Sequence, residues 1–324
     1  MRVLSNGDIL THSMKNLITT LALITSSLLS IPAHAVIEVQ ATQLSQVLGT
    51  GKLEGAVSDT AGNFYFCNMN TEGLEIKKNG TIGVIPAGES EAQLFLTLPE
   101  GIRGNGLRIG PDGNLYMADQ LGGNLVRINI ETKAVDVLWH IGIDNPKWNQ
   151  SANDVAITPD GKHLYVSCVR EGVYRMNLDG SDATKVLDKN ANGIEVSPDG
   201  TRLIISSGIY SIEEDGTLKS TGIKLQLPKE GYRYTDGLRC DVEGNIYVSR
   251  AAAKGGTAAV HVFDPEGNHI KNIKVDFRAV HNICFGGPDG KTLFLVCPGK
   301  KGFIASYQND IPGRNLADLA RWGL

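Results

Sequence analysis

Residues 152–168 read ANDVAITPDGKHLYVSC: two polar residues, an apolar stretch ending at Ile157, the turn Pro159-Asp160-Gly161, and a second apolar stretch from Leu164 to Cys168. Proline presets its φ, aspartate bonds back to nearby backbone and glycine tolerates positive φ, so the segment reads as two antiparallel strands joined by a tight turn. The pattern recurs as LEGAVSDTAGNFYFC from Leu53, GNGLRIGPDGNLYMAD from Gly104, ANGIEVSPDGTRLIISS from Ala191, TDGLRCDVEGNIYVSR from Thr235 and HNICFGGPDGKTLFLVC from His281. Glu54, Asn105, Asn153, Asn192, Asp236 and Asn282 are equivalent anchors, 39 to 51 residues apart. That period holds four strands.

The intervening stretches supply the other two strands, as in Val173–Asn177 and Ala183–Leu187 about Asp179-Gly180, with matching turns at Asn79-Gly80, Asp215-Gly216 and Glu266-Gly267. Helical periodicity is confined to Asn315–Trp322. The expected fold is therefore all-β, a six-bladed β-propeller. Its last repeat holds only three strands, ending near Phe303–Gln308, and the segment Ile37–Thr42 is expected to add the fourth and close the ring.

Composition agrees. Of 324 residues, 41% are hydrophobic, enough for a large core, and 38 glycines with only 12 prolines fit many tight turns without low complexity. A net charge of -4 with no local basic cluster argues against a nucleic-acid partner. Lys15, the apolar run Leu17–Ile31 and the small-x-small triplet Ala33-His34-Ala35 read as a cleaved secretory signal over residues 1–35, with Met14 as an alternative start. The run is short for a membrane span, so a single domain over 36–324 is expected in the periplasm or outside the cell. Five cysteines leave at least one unpaired, and no spacing suggests zinc. Cys168 and Cys297 share a register in opposite blades, so buried free thiols are expected.

Brought together by a ring, the anchors offer oxygen ligands with two negative charges, a set suited to calcium over magnesium or zinc. Asn105-Gly106, Asn192-Gly193 and Asp236-Gly237 are also ordinary turn pairs, whereas Glu54 and Asn153 are not explained that way. Strict alternation is an obstacle: Leu107 and Ile109, or Ile194 and Val196, would share a face with their anchors. A glycine beside several anchors could redirect them. The aspartates of the Pro-Asp-Gly turns are read as turn formers, and Arg108, Glu195 and Arg239 as a solvated charge set lining the channel. His281, next to an anchor, is a candidate acid, base or substrate donor. The connections Trp139–Ala152, with Trp148, and Gln226–Thr235, with Tyr232, Arg233 and Tyr234, serve either as substrate walls or as pins to the blade edge.

Asn192-Gly193-Ile194 leading into Ser197-Pro198-Asp199-Gly200, Asp236-Gly237-Leu238 leading into Glu243-Gly244-Asn245, Cys284-Phe285-Gly286-Gly287 and Glu54-Gly55 resemble the regucalcin/gluconolactonase family of six-bladed propellers. The resemblance implies a calcium ion at the channel mouth held by Glu54, Asn192 and Asp236, with Asn153 as a fourth ligand or water-holding neighbour. The sequence departs from the family at Ala56 and Ser58, where proline and an aromatic are usual, and at Ser151, where sugar-lactone enzymes often carry arginine.

The expected function is a calcium-dependent hydrolase of a small-molecule lactone or related ester, another divalent cation remaining an alternative. Asp236 would orient or deprotonate the attacking water, and Asn105, Asn153 and His281 would contact substrate. Such a site needs no serine or cysteine nucleophile. The alternatives are a phosphotriester hydrolase on the same site and a non-catalytic propeller that binds a small ligand or protein.

Overall fold

The computed structural model describes residues 35–46, 53–68, 80–144, 147, 150–299 and 302–324. The expected signal segment up to residue 34, Asn79 and Trp148 lie outside them. Among the described residues, six antiparallel blades follow one another along the chain. Their innermost strands are Glu54–Ser58, Gly104–Ile109, Ala152–Ile157, Ile194–Val196, Tyr232–Cys240 and Asn282–Gly286. Each packs on the next, and the sixth packs on the first, so the sheets form a closed β-propeller. Alternating side chains fill the gaps between blades. Val57, Tyr65, Leu107, Met117 and Val126, for example, join blades one and two and are each at most 4% exposed, and full burial of one such chain stabilises by about 1.5–3 kcal/mol.

Ring closure uses the N-terminal segment differently from the sequence expectation. Ile37–Gln40 does not complete blade six. It adds a fifth, parallel strand to the outer edge of blade five, with Ile37 opposite Lys271 and Gln40 opposite Lys274. Thr42–Gln46 is the fourth strand of blade six, antiparallel to Phe303–Gln308. Counting strands reveals which blade is short but not that a neighbouring edge also accepts a strand. Polar pairing selects that edge: Glu38 Oε2 lies 2.8 Å from Lys274 Nζ, and Glu38 Oε1 accepts from Asn272 Nδ2 at 2.6 Å. Removing residues 36–46 should therefore bare two blade edges at once and cause aggregation or marked destabilisation. Light scattering after size exclusion checks this; a stable, monomeric deletion product would overturn it.

The end of the channel remote from the anchors is covered by the C-terminal helix Arg314–Trp322. Its Arg314 donates to Val196 O at 2.7 Å and Ile157 O at 2.8 Å, carbonyls at the far ends of two innermost strands. Inside the channel, Arg108, Glu195 and Arg239 are buried and paired, so the expectation of a solvated set is corrected. Asp154 takes Arg108 Nη1 through Oδ1 and Arg239 Nη1 through Oδ2, both at 3.1 Å. Glu195 lies 3.6 Å from Arg108 and 3.3 Å from Arg314, which in turn faces Asp318 at 3.0 Å. Three arginines and three carboxylates thus alternate along the axis. All six are at most 5% exposed, so each charge must find its opposite in protein.

The turn aspartates behave as expected, Asp112 accepting from the Asn114 amide and Asp199 from the Thr201 amide. All five cysteines are free and buried. Burial pushes their thiols up, Cys284 to about 11, where they are neutral and unreactive.

Candidate functional site

The alternation obstacle is resolved by β-bulges at the anchors. In blades one, two, three and five the register of the innermost pair slips at Glu54/Ala56, Gly104/Leu107, Ala152/Asp154 and Thr235/Leu238. A bulge gives one strand an extra residue and re-aims the side chain there, so an anchor need not share the face of the apolar residues that follow. In blade four the paired strand begins only at Ile194, leaving Asn192 ahead of the ladder. Blade six has no slip at Asn282, and its side chain stays in the channel, accepting from Arg239 Nη2 at 2.9 Å.

Glycine makes this geometry possible. Gly55 has φ +41°, and a Cβ there would lie 1.9 Å from the Asn105 carbonyl oxygen of the next blade. A Cβ on Gly193 would lie 2.4 Å from Asp236 O, the acceptor of the Gly193 amide. The innermost strands thus approach each other too closely for any side chain just inside the mouth.

Glu54, Asn153, Asn192, Asp236 and His281 line one cavity of about 620 Å³. Glu54 and Asp236 are buried, and one carboxylate oxygen of each and a ring nitrogen of His281 all lie within 4.8 Å of one another. Oxygen ligands held 2.3–2.6 Å from calcium can be at most about 5 Å apart, so the two carboxylates are spaced as ligands of one ion. Two like charges at this distance repel strongly in a buried setting, and a dication offsets that cost. Asn153 and Asn192 line the same cavity, and their amide oxygens would make the donor set hard and oxygen-rich, which fits calcium.

His281 sits deeper in the arrangement than its sequence position suggests. Its Nδ1 is 3.1 Å from Glu54 Oε1 and 3.2 Å from Leu53 O. Both neighbours are acceptors, so Nδ1 carries the hydrogen and donates it, steering the Glu54 carboxylate. Asn105 is buried in its strand and is not among the residues that line the cavity. Ala56, Ser58 and Ser151 are wholly buried, Ser151 donating to Asp119 O, so these positions contribute packing and not cavity wall.

Arg170, Gln120, Asn190 and Arg250 also line the cavity and were not singled out by the repeats, because each stands outside the anchor register. The two readings of the aromatic segment before Asp236 both find a residue. Tyr234 and Arg233 are cavity wall. Tyr232 is a pin, its ring edge-on to His261 at 4.5 Å and under the Arg250 guanidinium at 4.9 Å. Burial raises the Tyr234 hydroxyl pKa, and the charges of Asp236 and Glu54 raise it further, so it remains a proton-bearing donor beside the two carboxylates. Trp139 packs on Tyr174 at 5.0 Å, which makes it a pin as well.

A propeller that brings two buried carboxylates within 4.8 Å of each other, in a cavity also lined by two asparagines, has donor groups of the kind that suit a metal ion. The chain belongs to the SMP-30/Gluconolactonase/LRE-like family, whose conserved region matches residues 106–297. It is 27% identical over 252 residues to a gluconolactonase of Zymomonas mobilis, covering 68% of this chain and 65% of that protein. It is also 27% identical over 204 residues to regucalcin of Xenopus laevis, covering 55% of this chain and again 65% of the relative. The matches thus span just under two thirds of the length of these relatives. Among solved structures, the calcium-binding protein regucalcin of Agrobacterium tumefaciens superposes with a TM-score of 0.65 at 18% identity, over 86% of this chain and 97% of that one. That likeness is one of fold.

Proposed function

We propose that this chain is a calcium-dependent hydrolase of a lactone or related ester, exported to the periplasm or beyond. The observation that carries the reading is the convergence of Glu54 and Asp236 in a cavity also lined by Asn153 and Asn192. Glu54, Asn153, Asn192 and Asp236 hold the ion, and His281 fixes the carboxylate of Glu54. Bound calcium supplies Lewis-acid polarisation of a carbonyl oxygen and stabilises negative charge that develops there. Asp236 orients the attacking water and accepts its proton, Asn153 offers its amide to a substrate oxygen, and Tyr234 stands ready as a hydroxyl donor. Addition of water to the acyl carbon, followed by cleavage of its bond to the ring oxygen, yields a hydroxy acid.

Kinship with a protein named gluconolactonase supports a lactone as the substrate class. Export is supported by the signal-like segment and by a compact body running Val36–Leu324, which starts directly after the expected cleavage point. A panel of lactones and esters assayed with calcium and then with chelator tests the activity. Turnover that chelator abolishes and calcium restores is the expected result. Calcium binding with no turnover of any substrate would overturn it in favour of a binding propeller.

A further inference from the structure

The cavity is lined by cationic side chains as well as by its two carboxylates. Arg250, in the strand Ile246–Ala252, lines the cavity and is only 6% exposed. Its Nη1 donates to Pro228 O at 2.6 Å, while its buried Nε has no hydrogen-bond partner among the described residues. The other deeply buried arginines, Arg108, Arg239 and Arg314, each face a carboxylate within 4 Å. Arg250 takes part in none of the ion pairs among the described residues. Burial lowers the pKa of its guanidinium, offset only by Tyr232. A buried guanidinium facing a cavity without a counter-charge is costly, and an anionic ligand removes that cost.

Its surroundings extend the same field. Arg170 and Arg233 line the same cavity, are exposed, and likewise form no ion pair among the described residues. Arg233, Tyr234 and His281 are shared with an adjoining hollow of about 960 Å³, whose wall adds Lys254 and Arg278 and, among the described residues, contains no carboxylate. Once a dication balances Glu54 and Asp236, the charge left around the ligand space is that of the arginines and Lys254. A neutral sugar ring would leave that charge uncompensated.

We propose that the substrate is itself an anion: a lactone or ester bearing a carboxylate or phosphate, which Arg250 and Arg233 hold while the acyl carbon faces the Glu54–Asp236 centre. Guanidinium groups suit either group through paired, charge-assisted hydrogen bonds. This inference rests on the hydrolase reading for the word substrate, but the anion site has its own readout.

The test compares glucono-δ-lactone, its 6-phosphate and a glucarolactone, which carries a carboxylate, at fixed calcium. The expected result is a kcat/KM about tenfold or more higher for at least one anionic lactone, a preference that shrinks as salt is raised. Because Arg250 is buried, the exposed Arg233 carries the mutational arm: Arg233→Gln should collapse the anionic-to-neutral ratio, mainly through KM, and Arg233→Lys should restore part of it. Equal use of neutral and anionic lactones, with a ratio indifferent to Arg233→Gln, overturns the inference and leaves the hydrolase reading standing. If no lactone is turned over, thermal protection by glucose 6-phosphate but not by glucose, lost in Arg233→Gln, would retain the anion site while the hydrolase reading falls. Absence of both turnover and protection overturns both. Separate kinetics for the phosphate- and carboxylate-bearing lactones show which anion the site prefers.

Discussion

Replacing Asp236 by asparagine is expected to lower lactone turnover by about a hundredfold or more at saturating calcium, because general-base assistance typically contributes 10² to 10⁴. The variant keeps a ligand oxygen and the shape of the side chain but removes the charge. Asp236 is 7% exposed and sits in the bulged strand of blade five, so the amide can occupy the same space. A dication lowers the proton affinity of a carboxylate that holds it, which makes the two roles of Asp236 compete. Calorimetry first establishes the calcium concentration that saturates the variant, and turnover is then read at that concentration. Near-normal turnover there would remove the base role and leave only the ligand role. Asp236→Ala should in addition weaken calcium binding itself.

A second large effect is expected far from the cavity wall. Asp154 is 1% exposed and bridges Arg108 and Arg239, so Asp154→Ala leaves two buried guanidinium groups facing each other across the channel. Breaking a buried ion pair by removing one partner costs about 3–5 kcal/mol. Urea unfolding monitored by fluorescence should show a loss of that order. Arg127→Ala breaks an exposed pair with Asp136, where about 0–1 kcal/mol is expected, and serves as the control. Equal, small losses for the two variants would show that the axial charges do not hold the ring together.

Much of the architecture is legible in the chain because each blade repeats the same local instruction. Pro-Asp-Gly with apolar stretches on either side sets a hairpin by short-range chemistry, and six copies at a blade-sized period leave few ways to arrange them. The closing strands were harder to place. Ile37–Gln40 and Thr42–Gln46 are both short and polar on one side, and nothing local says that Ala41 marks a crossing from one blade to the next. That choice depends on Glu38 meeting Asn272 and Lys274, partners remote in sequence.

The site divides in the same way. Glu54, Asn153, Asn192 and Asp236 share a repeat register, and the structure gathers all four at one cavity. Their orientation could not be read from alternation, because a bulge breaks the period of two that alternation assumes. The glycines that follow the anchors, such as Gly55 and Gly193, are the available signal. The charges at Arg108, Glu195 and Arg239 looked solvated because sequence does not disclose that the helix Arg314–Trp322 shuts the far end of the channel. Arg250 gave no signal at all, since a single arginine in an apolar strand has no meaning until the position of its missing partner is known.

The divided N-terminal segment also bears on the order of events during synthesis. Glu38 and Asn272 are 234 residues apart, so the first strands to leave the ribosome must wait for nearly the last ones before either can pair. Until then the outer edges of blades five and six are open, and contacts of such long range are the slowest to form. The pairing that finishes the propeller is therefore expected to be among the last to form, after every blade has its own hairpins.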